Sequence, residues 1–193
     1  MTNKTVNIIN SHKIYSGDIS IKIDKFKLNG KKTIIKEIVE HAPSVGIIPV
    51  KNHSRDILFV SQYRHGARKT TLEIPAGKME KYESPRQAAV REMAEEIGYG
   101  GKLSLLLKLY LAPGYNTEFI HIFVATHLKK LKKDTKPNLD DDEDNIKTKS
   151  IKLNKAVKKC IKGEIEDCKT VAAILAYSKL LEVNGKVFDF NKR

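Results

Sequence analysis

Gly77–Tyr99 reads GKMEKYESPRQAAVREMAEEIGY. The pattern predicts one short helix, dense in carboxylates and entered through a glycine loop. Ser84 and Pro85 mark its start: serine is a good N-cap, and proline at the first helical position loses no needed N–H. Gln87 completes a capping box with Ser84. Gly98, then Gly100 and Gly101, are read as the stop. Inside the helix Glu92, Glu95 and Glu96 stand at i, i+3 and i+4 and crowd one face. Like charges so close repel, and an ordinary surface helix gains nothing from them. A hard divalent cation removes the conflict, because Mg²⁺ takes oxygen ligands from carboxylates, water and substrate phosphates. The other side carries Ala88, Ala89, Met93 and Ile97 and is expected to pack inward. The plainer alternative is a solvated acidic face.

Gly77, Glu83, Arg91-Glu92, Glu95-Glu96 and Gly98, with Met93 and Tyr99 in apolar slots, meet every fixed position of GX5EX7REUXEEXGU, where U is apolar. The stretch thus resembles the Nudix box. At ordinary residue usage the seven fixed letters would match by chance at about 10⁻⁹ per start position. The resemblance implies a metal-dependent hydrolase of a nucleoside diphosphate linked to another group. It implies an α/β/α sandwich with a mixed sheet and the box as loop–helix–loop. It also implies roles. Glu92, Glu95 and Glu96, with the backbone carbonyl of Ala76, would hold Mg²⁺, with Mn²⁺ as the alternative. Glu95 is a further ligand or a water-holding base. Arg91 would pair with Glu83, tying loop to helix, and Gly77 and Gly98 are structural.

With 193 residues, 40% hydrophobic and 31% charged, the chain suits one globular domain with a proper core and a small extra element. No apolar run is long enough to span a membrane, and MTNKTVNIIN lacks a signal pattern, so a cytoplasmic protein is expected. Cys160 and Cys168 are too few for a disulfide framework. The net charge of +13 favours the approach of anionic ligands. Its lysines are spread along the chain without interleaved aromatics, and tryptophan is absent, so a dedicated nucleic-acid surface is not expected.

Residues 5–10 and 18–28 alternate apolar and polar, a strand signal. Asn29-Gly30 predicts a hairpin turn into a strand over Thr33–Val39. Further strands are expected over Val45–Val50, Ile57–Tyr63, Leu103–Leu111, Phe119–Thr126 and Ile146–Leu153. Lys129–Asn145 reads as a polar loop ending in LDDDEDN, and 155–160 and 170–181 read as helical. The division expected is an N-terminal β domain over 1–42, appended to a catalytic domain over 43–193.

Outside the box, four stretches resemble the ADP-ribose pyrophosphatase branch of the Nudix family. They are Tyr15-Ser16-Gly17 leading to Gly30 and Lys36-Glu37; QYRHG at 62–66 with LEIPAGK at 72–78; LAPGYNTEFIHIFVA at 111–125; and the acidic loop before the last strand and helices. Pro113 lies where that branch carries a proline, although here the triplet is APG instead of SPG. The resemblance implies Mg²⁺-dependent hydrolysis of ADP-ribose to AMP and ribose 5-phosphate by a homodimer whose N-terminal domains are exchanged. Arg64 would meet the diphosphate, where a guanidinium fork fits phosphate oxygens. Glu73, beside the site, and Pro113 would bind substrate, and Glu118 would be a substrate or supporting contact. Glu143, the one glutamate in LDDDEDN, would position or deprotonate the attacking water, with Asp142 or Asp144 in its place if the alignment slips. Glu37 would reach the nucleoside, with Tyr15 and Phe26 as candidates to stack on the base. Lys36 stands where an arginine is common, and no tryptophan is present to stack. The alternatives are hydrolysis of GDP-mannose or another nucleotide sugar, an RNA 5′-pyrophosphohydrolase, and a non-catalytic ADP-ribose sensor. The intact box carboxylates argue against the sensor.

Overall fold

Alternating apolar and polar residues near the N-terminus fold into three antiparallel strands. The computed structural model describes residues 6–52, 54, 56–131 and 146–184. Strands β1 (Val6–Ser16), β2 (Ser20–Leu28) and β3 (Lys32–Glu40) form a sheet in that order. β1 runs past the strand expected at 5–10 because its pairing with β2 continues to Ser16 opposite Ser20. Register shifts at Ile8/Asn10 and Lys13/Tyr15 interrupt it, and such bulges break the alternation a strand is recognised by. The β2–β3 turn is where Asn29-Gly30 places it. Both residues have positive φ, 50° and 69°, as a type I′ turn requires, and the Lys31 amide donates to the Leu28 carbonyl at 3.1 Å. Asp24 of β2 is buried, accepting from Ser11 Oγ at 2.6 Å and paired with Lys22 at 3.3 Å.

Met1–Pro43 and Tyr110–Phe119 together form one compact unit. The second segment is tied to β3 through its backbone: the Val39 amide donates to Tyr115 at 2.7 Å, and the Thr117 amide donates to Val39 at 3.0 Å. The first unit therefore reaches beyond residue 42 to include a segment distant in sequence.

Ser44–Leu109 and Ile120–Arg193 form the other unit. Its elements are β4 (Ser44–Pro49), β5 (Asp56–Arg64), β6 (Lys69–Glu73), β7 (Ala76–Lys78), α1 (Pro85–Ile97), β8 (Tyr99–Tyr110), β9 (Phe119–Lys130), β10 (Lys147–Lys152), α2 (Leu153–Ile161) and α3 (Cys168–Asn184). One sheet has the order β7-β4-β9-β8 and is mixed: β4 runs parallel to β9 and antiparallel to β7. The second has the order β10-β5-β6 and is antiparallel. All six residues of β4 are buried, as expected of a central strand covered on both faces. Val45 and Ile47 of β4 join Leu58, Val60, Ala88, Ala89, Met93 and Phe123 in the main core. α1 packs on β4 and β7, and α3 packs on β4 and α2, completing the α/β/α sandwich.

The helix ends follow local chemistry. Ser84 Oγ accepts the Gln87 amide, and the Gln87 side chain accepts the Ser84 amide at 2.9 Å. Gly98 ends α1 in the left-handed region at φ 70°, its amide bonded to Ala94 O at 3.0 Å. Gly100 and Gly101, expected to help stop the helix, instead open β8. β6 and β7 arise where LEIPAG suggests no element. They are short and exist by pairing with β5 and β4. No described helix is long and apolar enough to cross a membrane.

Candidate active site

The apolar side of α1 packs as its spacing predicts, with Ala88, Ala89, Met93 and Ile97 buried. Glu92 and Glu96 are buried as well, at 5% and 8% exposure. The strand β7 causes this. The Ala76 amide donates to Glu96 Oε2 at 3.1 Å. The Cα of Gly77 lies so close to Glu92 that an added Cβ would fall inside its carboxylate. Gly77 is therefore required by space. The loop lies on the acidic face and draws two carboxylates out of bulk water beside backbone polar groups.

Arg91 holds the rest of the cluster. Its Nε and Nη2 donate to the two oxygens of Glu83, both at 3.1 Å, and Nη2 also donates to Lys78 O at 2.9 Å. Nη1 donates to Glu92 at 2.8 Å and to half-buried Glu95 at 2.9 Å. One guanidinium thus fastens the loop to the helix and partly offsets three carboxylates. The bond from Arg91 holds Glu83 below the usual carboxylate range against the opposing effect of burial. Among the described residues, no three carboxylate, imidazole or thiol side chains already converge as an ion cage. Glu92, Glu95 and Glu96 share Arg91 and the Ala76–Gly77 backbone instead.

A second cluster surrounds Glu73, which ends β6 at 2% exposure. Arg64 grips it with Nε to Oε1 at 2.8 Å and Nη2 to Oε2 at 2.7 Å. Thr71 Oγ1 donates to Oε1 at 2.5 Å, and Lys169 Nζ pairs with Oε2. Lys169 also meets Asp167 at 2.9 Å. Asp167 caps α3, accepting from the Thr170 amide at 2.9 Å, and Thr170 Oγ1 accepts the Ile74 amide at 2.9 Å. Burial alone would raise the Glu73 pKa. Arg64, Lys169 and Thr71 overcome it and hold the carboxyl down at about 2. The Glu96 charge reaches Arg64, so the two clusters feel one another. Asp167, Lys169 and Thr71 escape a sequence reading. The one signal is Asp167 three residues before Thr170 at the start of an apolar helix, an N-cap pattern.

Set against known proteins, residues 40–172 match the NUDIX domain model. The chain belongs to the NUDIX family. The chain is 36% identical over 168 residues to the methanol dehydrogenase activator of Bacillus methanolicus, covering 86% of this chain and 89% of that one. It is equally similar, over the same length and shares, to the ADP-ribose pyrophosphatase of Bacillus subtilis (strain 168). In fold it is similar to the crystal structure of an ADP compounds hydrolase, with a TM-score of 0.79, 20% identity, and 95% and 97% of the two chains covered.

The remaining Nudix site candidates fall in the other unit or outside the described residues. Glu37 and Lys36 are exposed on β3, opposite Ile23 and Asp24 of β2. Tyr15 is exposed near the end of β1, and Phe26 is half-buried on β2. Pro113 lies in the 110–119 segment. Glu118 lies there too, with one oxygen 3.9 Å from His41 Nδ1. Glu143, with Asp142 and Asp144, lies outside the described residues.

Proposed function

We propose that this Nudix hydrolase cleaves the diphosphate bond of ADP-ribose, or of a closely related nucleoside diphosphate sugar, giving AMP and ribose 5-phosphate from ADP-ribose. The observation that carries this reading is the 36% identity to an ADP-ribose pyrophosphatase over 86% of the chain. The complete set of box carboxylates, two of them buried against the Ala76–Gly77 loop, supports it. Hard oxygen donors in that number suit a hard divalent cation. Glu92, Glu95 and Glu96, with the carbonyl of Ala76, would hold it, Mg²⁺ first and Mn²⁺ second. Bound there, it would lower the pKa of water and offset phosphate charge.

The chain's own residues divide the remaining work. Arg91 fastens the loop and keeps Glu83, Glu92 and Glu95 in register. Arg64 contacts the diphosphate, backed by Glu73. Glu143 orients the attacking water and takes its proton, with Glu95 as the other candidate base. Glu37 and the segment around Pro113 contact the nucleoside sugar. The protein works as a homodimer.

The test is a panel of ADP-ribose, GDP-mannose, NADH, dinucleoside polyphosphates and capped RNA, each with Mg²⁺ or with EDTA, and with products identified. ADP-ribose is expected to be cleaved fastest and only with the metal. Faster cleavage of GDP-mannose would move the assignment to that sugar nucleotide. Cleavage of NADH alone would break the ADP-ribose reading.

A further inference from the structure

Charge inside a protein is costly unless it is paired and fully bonded. The Glu73 cluster meets that condition in an uneven way. It brings together two acids, Glu73 and Asp167, and two bases, Arg64 and Lys169, so its formal charge cancels. Glu73 is 2% exposed and Lys169 is 9% exposed. The Arg64 side chain remains 40% exposed. A buried, neutralised set of groups therefore ends in one arginine side chain that stays partly exposed. Only the Nε and Nη2 edge of that guanidinium is used by Glu73, out of five N–H donors. Two bonds to one carboxylate fix both the position and the plane of the fork. Glu73 is itself held from two further directions. Thr71 lies on its own strand. Lys169 reaches it from the start of α3, 96 residues further along the chain, and is itself held by Asp167 at 2.9 Å.

We propose that Lys169, itself anchored by Asp167, is a positioning residue for the diphosphate, acting through Glu73 to hold the Arg64 fork ready for phosphate oxygens. The proposal rests on the reading of Arg64 as the diphosphate contact. Without Lys169, the second oxygen of Glu73 loses its buried cation and Glu73 has reason to turn. Arg64 would then reorient with it, and a ligand would have to order the fork on binding.

The test measures ADP-ribose binding by titration calorimetry in EDTA, alongside thermal melting. The variants are Arg64→Ala, Lys169→Met, Lys169→Arg and the double variant Arg64→Ala/Lys169→Met. Lys169→Gln replaces Lys169→Met if the latter does not fold. Loss of one charge-assisted contact predicts a roughly 10-fold to 100-fold weaker Kd for Arg64→Ala. Lys169→Met is expected to weaken binding several-fold, Lys169→Arg to recover most of it, and the double variant to bind no worse than Arg64→Ala alone. A Lys169 that only supports the fold would lower the melting temperature and leave Kd unchanged, which overturns the proposal while Arg64 keeps its role. Losses that multiply in the double variant also overturn it, because Lys169 would then act by a route of its own. An Arg64→Ala protein that binds like the wild type removes the Arg64 reading, and the proposal falls with it. The product panel judges the substrate assignment separately.

Discussion

A methyl group at position 77 has nowhere to go, because the Glu92 carboxylate already fills that space. Gly77→Ala must push Glu92 aside or lift the loop. Either movement disturbs the face where Glu96 accepts the Ala76 amide. The expected result is a fall in kcat/KM of about tenfold or more, equivalent to at least about 1.4 kcal/mol in the transition state, with the circular dichroism spectrum unchanged. Wild-type turnover would show that the carboxylate's present position is not needed. Glu73 predicts a pH effect of definite sign. Its pKa is depressed from 4.5 to about 2, so its folded-state stabilisation is complete above about pH 4.5 and is lost as pH falls toward 2. The full effect is on the order of 3 kcal/mol. Urea unfolding at several pH values should show stability declining across that window, and a Glu73→Gln protein that folds should decline less steeply there.

α1 is an element whose ends are set locally and whose faces are set by its neighbours. Ser84 and Gln87 satisfy each other's amides at one end, and Gly98 adopts φ 70° at the other. An alanine in that left-handed conformation costs about 1 kcal/mol, which for a domain of this size lowers the melting temperature by about 2–4 °C. Scanning calorimetry of Gly98→Ala should show that drop, and an unchanged melting temperature would mean the cap contributes nothing. The acidic run LDDDEDN, which lies outside the described residues, belongs to this scale too. If Glu143 is the base, Glu143→Gln should lower kcat by about 10²–10⁴ and barely change KM. Asp142→Asn and Asp144→Asn made alongside locate the group: a large drop in one of these and none at Glu143 would move the base to that neighbour.

For the whole molecule the question is assembly. Every residue of β1 is exposed, among them Val6, Ile8, Ile9 and Ile14, each more than half exposed. An edge strand that leaves isoleucines open to water invites a partner. A second copy of the chain is the partner expected, giving a homodimer. Sedimentation at micromolar concentration should show a dimer, and Ile8→Asp should shift it toward monomer. A wild-type monomer that is fully active would count against the dimer and against exchanged N-terminal units. The net charge of +13 works against self-association, so a dimer should form more readily as salt rises.

The sequence by itself determined what depends on neighbours within a few residues. Ser84, Pro85, Gln87 and Gly98 bound the box helix because caps act over one turn. The spacing of Glu92, Glu95 and Glu96 put three carboxylates on one face because helix geometry is regular. Asn29-Gly30 placed a turn because few other pairs accept two positive φ values. Tertiary structure decided the rest. β6 and β7 exist only through their pairing with β5 and β4. Glu92 and Glu96 are buried because β7 lies against them. The Tyr110–Phe119 segment joins the first unit through bonds to Val39, across some seventy residues. The Glu73 cluster gathers Arg64, Thr71, Asp167 and Lys169 from two strands and a distant helix start. No local pattern marks that meeting, because its reason is the need to neutralise a carboxylate that the folded chain has taken out of water.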